Sequence, residues 1–184
     1  MIRGLPKLED AAWAGTVKSK DCLLLLTEGD SAASMAIAGI SEVGRDKFGV
    51  FPLKGKVMNV KDASVQKIAD NDEIANIKKI LGLETGKKYS SINDLRYGGI
   101  MLLTDADTDG SHIRGLIMNL FHSMWPSLMK EFKFIHCMQT PIIKAKKRDS
   151  VMSFYTLTEF QNWYRDNGDA GWEIKYYKGL GTST

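Results

Sequence analysis

The chain has 184 residues, 43% hydrophobic and 26% charged, with a formal net charge of +3. This is ordinary for a globular protein with room for a proper core, and the mild positive charge permits a nucleic-acid partner without demanding one. No apolar stretch approaches the roughly 18 residues of a membrane span and no signal-peptide core opens the chain, so neither a membrane nor a secreted protein is expected.

Residues 1–20, with Gly4, Pro6, Gly15 and mixed charge, read as a connecting segment without a core of its own. Cys22-Leu23-Leu24-Leu25-Leu26 reads as a buried strand. Cys22 itself, far from Cys137 and in no C-x-x-C pair, suits a buried thiol in a reducing compartment. After Thr27-Glu28-Gly29-Asp30-Ser31 a small-residue helix is expected over Ala32–Ala38, then a short extended piece, Val50–Leu53, leading into Lys54-Gly55-Lys56. Residues 62–98 look like an insertion, with a helix from Asp72 to Leu81 whose apolar side is Ile74, Ile77, Ile80 and Leu81. Ile100-Met101-Leu102-Leu103 reads as a second buried strand, and Ser111 opens an amphipathic helix with Ile113, Leu116, Ile117, Leu120 and Phe121 on one face. Pro126 is expected to end or bend the chain. Strands follow at Phe132–Met138, Pro141–Ala145, Val151–Thr156 and Glu173–Tyr177, with a helix at Glu159–Arg165 and a basic turn through Lys144, Lys146, Lys147 and Arg148. The ending, Gly179-Leu180-Gly181-Thr182-Ser183-Thr184, is loop chemistry and reads as an internal point of a longer protein.

Between the second strand and its helix stand Asp105, Asp107 and Asp109, followed by Gly110-Ser111-His112. Three carboxylates within five residues repel one another unless something positive lies between them. At the C-terminal end of a strand in an α/β sheet, where ligands bind, that partner is expected to be a hard divalent cation. Oxygen-only ligation favours magnesium or manganese over zinc. An EF-hand loop also begins D-x-D-x-D-G, but its twelfth position should be Glu and here is Leu116. A purely structural turn is the other plain reading. The first strand also ends in an acid, Glu28. If the two strands are neighbours, Glu28 and the three aspartates could hold one or two ions of the kind phosphoryl transfer uses.

Thr27-Glu28-Gly29-Asp30-Ser31-Ala32 together with Asp105-Ala106-Asp107-Thr108-Asp109-Gly110-Ser111-His112 resembles the TOPRIM domain of type IIA DNA topoisomerases. Pro52-Leu53-Lys54-Gly55-Lys56-Val57-Met58-Asn59-Val60 and Tyr177-Lys178-Gly179-Leu180-Gly181-Thr182 carry the resemblance over essentially the whole chain. Gly44–Val50, Trp125-Pro126-Ser127-Leu128 and the last four residues are closer to the eukaryotic enzyme, and its large-DNA-virus relatives, than to bacterial gyrase.

The resemblance implies an α/β fold of TOPRIM type: a Rossmann-like, mostly parallel sheet flanked by helices over 21–184, with 62–98 as a helical insertion. It implies Glu28, Asp105 and Asp107 as principal magnesium ligands and catalytic residues, Asp109 supporting a second metal position, and manganese able to substitute. Lys54, Lys56 and Asn59 would line the cleaved DNA, with Asp30 and His112 as further DNA contacts. Lysine at 54, where many relatives have arginine, keeps the charge but loses the planar fork. The partners implied are double-stranded DNA, an ATPase domain that alone binds ATP, and a winged-helix domain that supplies the tyrosine nucleophile, in a homodimeric parent without membrane attachment. A nuclear enzyme is expected if cellular, one in the host cell or virion if viral. The isolated chain is expected to be monomeric and inactive. Two other classes remain: a noncatalytic DNA-docking or assembly module with the same fold, and a magnesium phosphohydrolase, for which no nucleophile with a recognisable base is evident. By charge pattern alone, Lys54 with Lys56, and the run Lys144–Arg148, could equally be solvated turns.

Overall fold

The computed structural model describes residue 2, residues 4–168, residues 170–177 and residue 179. Its elements follow from local sequence and from the layers they must fill. β1 (Leu23–Glu28) is buried along its whole interior, and β2 (Phe48–Leu53) at every residue after the first. Such continuous apolar runs belong to parallel strands covered on both faces. Between them α1 (Gly29–Val43) makes the crossover. It starts earlier and runs further than the small-residue stretch suggests. Gly29 turns the chain out of β1 at φ 77°, a left-handed conformation that glycine adopts without a Cβ penalty.

The segment between β2 and the next strand carries α2 (Val65–Ala69), which has no buried residue and no legible sequence period, and α3 (Asp72–Leu81). The sequence marks α3 clearly: Asn71 caps it by accepting from the Ile74 N–H, and Gly82 ends it in the left-handed region. All four expected apolar residues of α3 are buried in the main core. β3 (Gly99–Leu103) follows, and then α4 (Thr108–Met124). α4 begins three residues before the expected Ser111, because Asp107 caps it through the Gly110 N–H. The chain bends at Pro126 as expected: α4 stops at Met124, Trp125 leaves the helical region, and Pro126 opens a new helix, α5 (Pro126–Phe132), at a position where its missing N–H costs nothing. The strand expected over Phe132–Met138 shrinks accordingly to β4 (Ile135–Cys137).

These strands form a four-stranded parallel sheet in the order β2-β1-β3-β4. One face packs Leu25, Val50 and Leu103 against Ala33, Ala36 and Ile40 of α1. The other packs Leu24, Leu26, Phe51, Ile100 and Leu102 against α3, α4 and the Trp125–Leu128 region. Residues 4–20 dock on this body. Glu9 bridges Val50 at the outer edge of β2, and Leu5, Leu8 and Trp13 pack on the main core. Asp10 accepts hydrogen bonds from Arg96 and from the Tyr97 hydroxyl, which in turn accepts from the Ala11 N–H.

A second sheet, antiparallel and ordered β6-β5-β7, comprises β5 (Ile143–Lys147), β6 (Ser150–Phe154) and, after α6 (Leu157–Asn167), β7 (Glu173–Tyr176). Its own small core is Ile143, Ala145, Phe154 and Phe160, with Trp163 and Trp172 against it. Lys144, Lys146 and Lys147 lie in β5, not in a turn; only Arg148-Asp149 make the reversal, with Arg148 at φ 53°.

Candidate active site

The strand order places the connection out of β1 on one side and β3 on the other, the switch point where open α/β sheets leave a crevice. Register then decides which side chains meet there. Leu23 pairs with Phe48 and Gly99, Thr27 with Pro52 and Leu103, so all three strands end level. Glu28 therefore stands between Lys54, which follows β2, and Asp105, which follows β3. The contact is direct: the Asp105 N–H donates to Glu28 Oε2 at 3.3 Å.

Each remaining acid is held differently. Asp107 Oδ1 accepts the Gly110 N–H at 2.8 Å. Asp109 pairs with Lys56 Nζ at 2.8 Å. That pair holds the Lys56 ammonium above its ordinary pKa and the Asp109 carboxyl below its own, by hydrogen bond first and charge second. Glu28 and Asp107 add to the field on Lys56, and His112 adds to that on Asp109. Within the chain, Lys56 thus supplies positive charge to the acidic cluster at Asp109.

Two glycines set how closely the backbone surrounds the acids. A Cβ on Gly110 would lie 2.1 Å from the Asp105 carbonyl oxygen, so α4 approaches the β3 end as only glycine allows. A Cβ on Gly179 would lie 2.9 Å from Asp105 Oδ1, so the chain beyond β7 returns to the acid at the end of β3. Of the Tyr177–Thr182 motif only Tyr177 and Gly179 are described; Lys178 and 180–184 lie outside the described residues. Asp105 and Asp107 share a cavity of ≈ 430 Å³ with Tyr177 and Gly179. A smaller cleft of ≈ 250 Å³ on the other side is lined by Glu28, Asp30, Lys54 and Lys7.

The other expected contact residues ring this centre. Asp30 is exposed and pairs with Lys7 at 2.8 Å. The Lys54 N–H donates to Glu73 Oε1, whose carboxyl is pushed up by burial and partly drawn back by that bond. Asn59 Oδ1 accepts from Asn119 Nδ2 and from the Lys61 N–H. Lys54, Lys56, Asn59 and His112 are all exposed. Lys7, Glu73 and Asn119 were not singled out in the sequence; their signal is tertiary, each contacting a segment distant in sequence.

The donor chemistry suits a hard cation: carboxylate oxygens at adjacent strand ends. As the side chains stand, no three acidic, His or Cys groups among the described residues converge on one point that could hold an ion. Asp107 and Asp109 are turned to their helix cap and to Lys56.

Residues 23–140 match the family model of the Toprim domain, and residues 138–184 that of the C-terminal associated domain of TOPRIM. The chain belongs to the Toprim family. The boundary near 138–140 is also where the parallel sheet gives way to the antiparallel one. Among curated relatives, a Plasmodium falciparum DNA topoisomerase 2 is 54% identical over 184 residues, covering 100% of this chain and 13% of that protein. An Acanthamoeba polyphaga mimivirus DNA topoisomerase 2 is 54% identical over 182 residues, covering 96% of this chain and 14% of the other. The crystal structure of the Plasmodium falciparum topoisomerase II DNA-binding, cleavage and re-ligation domain superposes with a TM-score of 0.93 at 53% identity. It covers 100% of this chain and 25% of its own. The Toprim chain therefore spans about an eighth of the curated relatives it matches.

Proposed function

We infer that this Toprim chain forms the metal-binding half of the DNA cleavage and religation site of a type IIA topoisomerase. The observation that carries the reading is the level ending of β1 and β3, which joins Glu28 to Asp105 at the switch point of the sheet. The likeness to topoisomerase II enzymes over the full chain supports it.

In this reading Glu28, Asp105 and Asp107 would hold magnesium, with Asp109, released from Lys56, supporting a second position. Such an ion would supply charge neutralisation at the cut phosphate and the 3′ oxygen. The chain's own residues position the substrate. Lys54 and Lys56, on the loop that Glu73 tethers, draw the phosphate backbone toward the acids. Asn59, fixed by Asn119, and His112, in the second turn of α4, meet the strand beside it. Asp30 leaves Lys7 free to reach a phosphate when DNA displaces their exposed pair. Glu28 would either ligate the ion directly or, freed of the Asp105 N–H, move a proton at the 3′ oxygen as general acid or base. The nucleophilic tyrosine, ATP hydrolysis and dimerisation belong to other parts of the parent enzyme.

The test is cleavage in trans. This chain is mixed with a winged-helix and core fragment of a topoisomerase II relative, magnesium and supercoiled plasmid, and tyrosine-linked DNA is scored. Covalent product that vanishes with Asp105→Asn or Glu28→Gln is expected. Complex formation between folded fragments without product would leave the noncatalytic docking module instead.

A further inference from the structure

The antiparallel sheet carries a charge pattern that the proposed cleavage site does not use. In β5, Ile143 and Ala145 face the small aromatic core, which turns Lys144 and Lys146 to the opposite face. Lys144 stands directly across from Lys175 of β7. Tyr177, two residues beyond Lys175, shares that face, and its ring lies 5.4 Å from Lys144 Nζ and 5.8 Å from Lys175 Nζ. Like charges at directly opposed positions destabilise a strand pair. The ring offsets part of this through its quadrupole but brings no negative charge.

The neighbouring lysines are compensated. Lys147 donates to the Ala170 carbonyl at 2.7 Å and stands over Trp172, and Lys146 faces Glu173 in register. Among the described residues, neither Lys144 nor Lys175 makes an ion pair. The pair also adjoins the acids. Tyr177 is tied to the start of β5 by its N–H on the Ile142 carbonyl, and it lines the cavity that holds Asp105 and Asp107. Lys54 follows β2 and lines the cleft beside Glu28, with Lys56 two residues on, whereas Tyr177 of this aromatic-lysine group lines the cavity beside Asp105 and Asp107, after β3.

We propose that Lys144, Lys175 and Tyr177 form a second backbone-phosphate site for DNA, on the β3 side of the acidic cluster. The proposal rests on the DNA-handling reading above. A phosphate between the two ammoniums removes their repulsion. The ring keeps both lysines in place beforehand and presents an apolar face to the adjoining sugar. A strand engaged here and at Lys54–Lys56 would pass across Glu28, Asp105 and Asp107.

The experiment measures binding of a short labelled duplex to the 184-residue chain in EDTA, by fluorescence anisotropy, across a salt series. Lys144→Gln/Lys175→Gln is expected to weaken binding about tenfold per lysine near 0.1 M salt and to lower the slope of log K against log salt by about two. Lys146→Gln/Lys147→Gln, on the same strand, is expected to change both much less. Relief of the repulsion predicts that the Lys144/Lys175 double variant melts no lower than wild type at low salt, which separates lost binding from lost folding. Unchanged affinity and slope, with Lys56→Gln lowering both, would overturn this site and leave the DNA reading intact. Equal losses in the two double variants would reduce it to general surface charge and also overturn it. A wild-type chain that binds no duplex would remove this site and the DNA reading together.

Discussion

Two glycines of one helix should respond to alanine with opposite signs. A Cβ on Gly110, in the first turn of α4, would sit 2.1 Å from the Asp105 oxygen and 3.0 Å from its C and N. Carbon and oxygen do not pack closer than about 3 Å, so one side must retreat by about 1 Å. The obstacle is backbone, and no rotamer change absorbs the clash. Overpacking of this kind costs about 1–3 kcal/mol, against at most about 1 kcal/mol that alanine gains over glycine in a helix. Gly115 lies five residues further along α4, exposed, with nothing within 4 Å of a built Cβ. There the helix gain is expected alone. At this chain length each kcal/mol moves the thermal midpoint by about 2–4 °C. Urea and thermal melts of Gly110→Ala and Gly115→Ala should therefore fall on either side of wild type. In a cleavage-competent assembly, Gly110→Ala should also lose about a hundredfold in cleavage, because Asp105 moves with its peptide. Gly110→Ala melting level with or above Gly115→Ala would refute the close approach of α4 to the β3 end.

Asp107 has a capping role and a charge role that substitution can separate. Asp107→Ala should lose about 1 kcal/mol of stability with the cap. Asp107→Asn should keep the cap and the midpoint yet lose divalent-cation binding, followed by calorimetry; equal melts for Ala and Asn would deny the cap. Tyr97→Phe should cost about 1–3 kcal/mol at neutral pH by leaving the buried Ala11 N–H without its acceptor. Burial, then the bond to Asp10, raises the Tyr97 pKa, so its contribution is whole below pH about 10 and lost as pH climbs from there. Urea melts should show wild type losing stability above pH about 10 more steeply than Tyr97→Phe, and parallel curves would contradict this. Lys56→Met should raise manganese affinity in the absence of DNA, read by electron paramagnetic resonance, while Lys54→Met raises it less. Equal effects would show that the Asp109 pair is not what competes with the ion.

The sequence made legible what local chemistry decides. β1 and β3 announced themselves as apolar runs stopped by acids, and α3 by the period of Ile74, Ile77, Ile80 and Leu81. The α/β class and the Toprim resemblance followed from residues near one another in sequence. What escaped depends on partners far away. The strand expected over Pro141–Ala145 forms as β5, but it runs on through Lys146 and Lys147, whose charge made the end of the strand read as a basic turn. α5 starts at a proline, a residue equally suited to ending a helix. Residues 4–20 looked like a mere connection because the Asp10, Arg96 and Tyr97 contacts that fasten them span more than eighty residues. At the site, Glu28 and Asp105 could be paired from the expectation of level parallel strands. The tether of Lys54 by Glu73 and the return of Gly179 to Asp105 could not.

The way the acids are held bears on how such a site could work. Four carboxylates at one sheet edge would push the strand ends apart if none were compensated. Here Glu28 takes a backbone N–H, Asp107 a helix cap and Asp109 a lysine. Two of these are hydrogen bonds to the local backbone, which fix position without removing charge. The third neutralises charge, yet it is half exposed at both partners, and exposed ion pairs contribute little net stability. A buried lysine would have locked the cluster shut, since separating a desolvated pair costs several kcal/mol. An exposed one on the Lys54-Gly55-Lys56 loop can leave Asp109 at small cost. In the proposed reading it would then carry its charge to a phosphate approaching the same acids. The arrangement keeps the acidic edge folded without a cation while leaving it open to exchange a lysine for one.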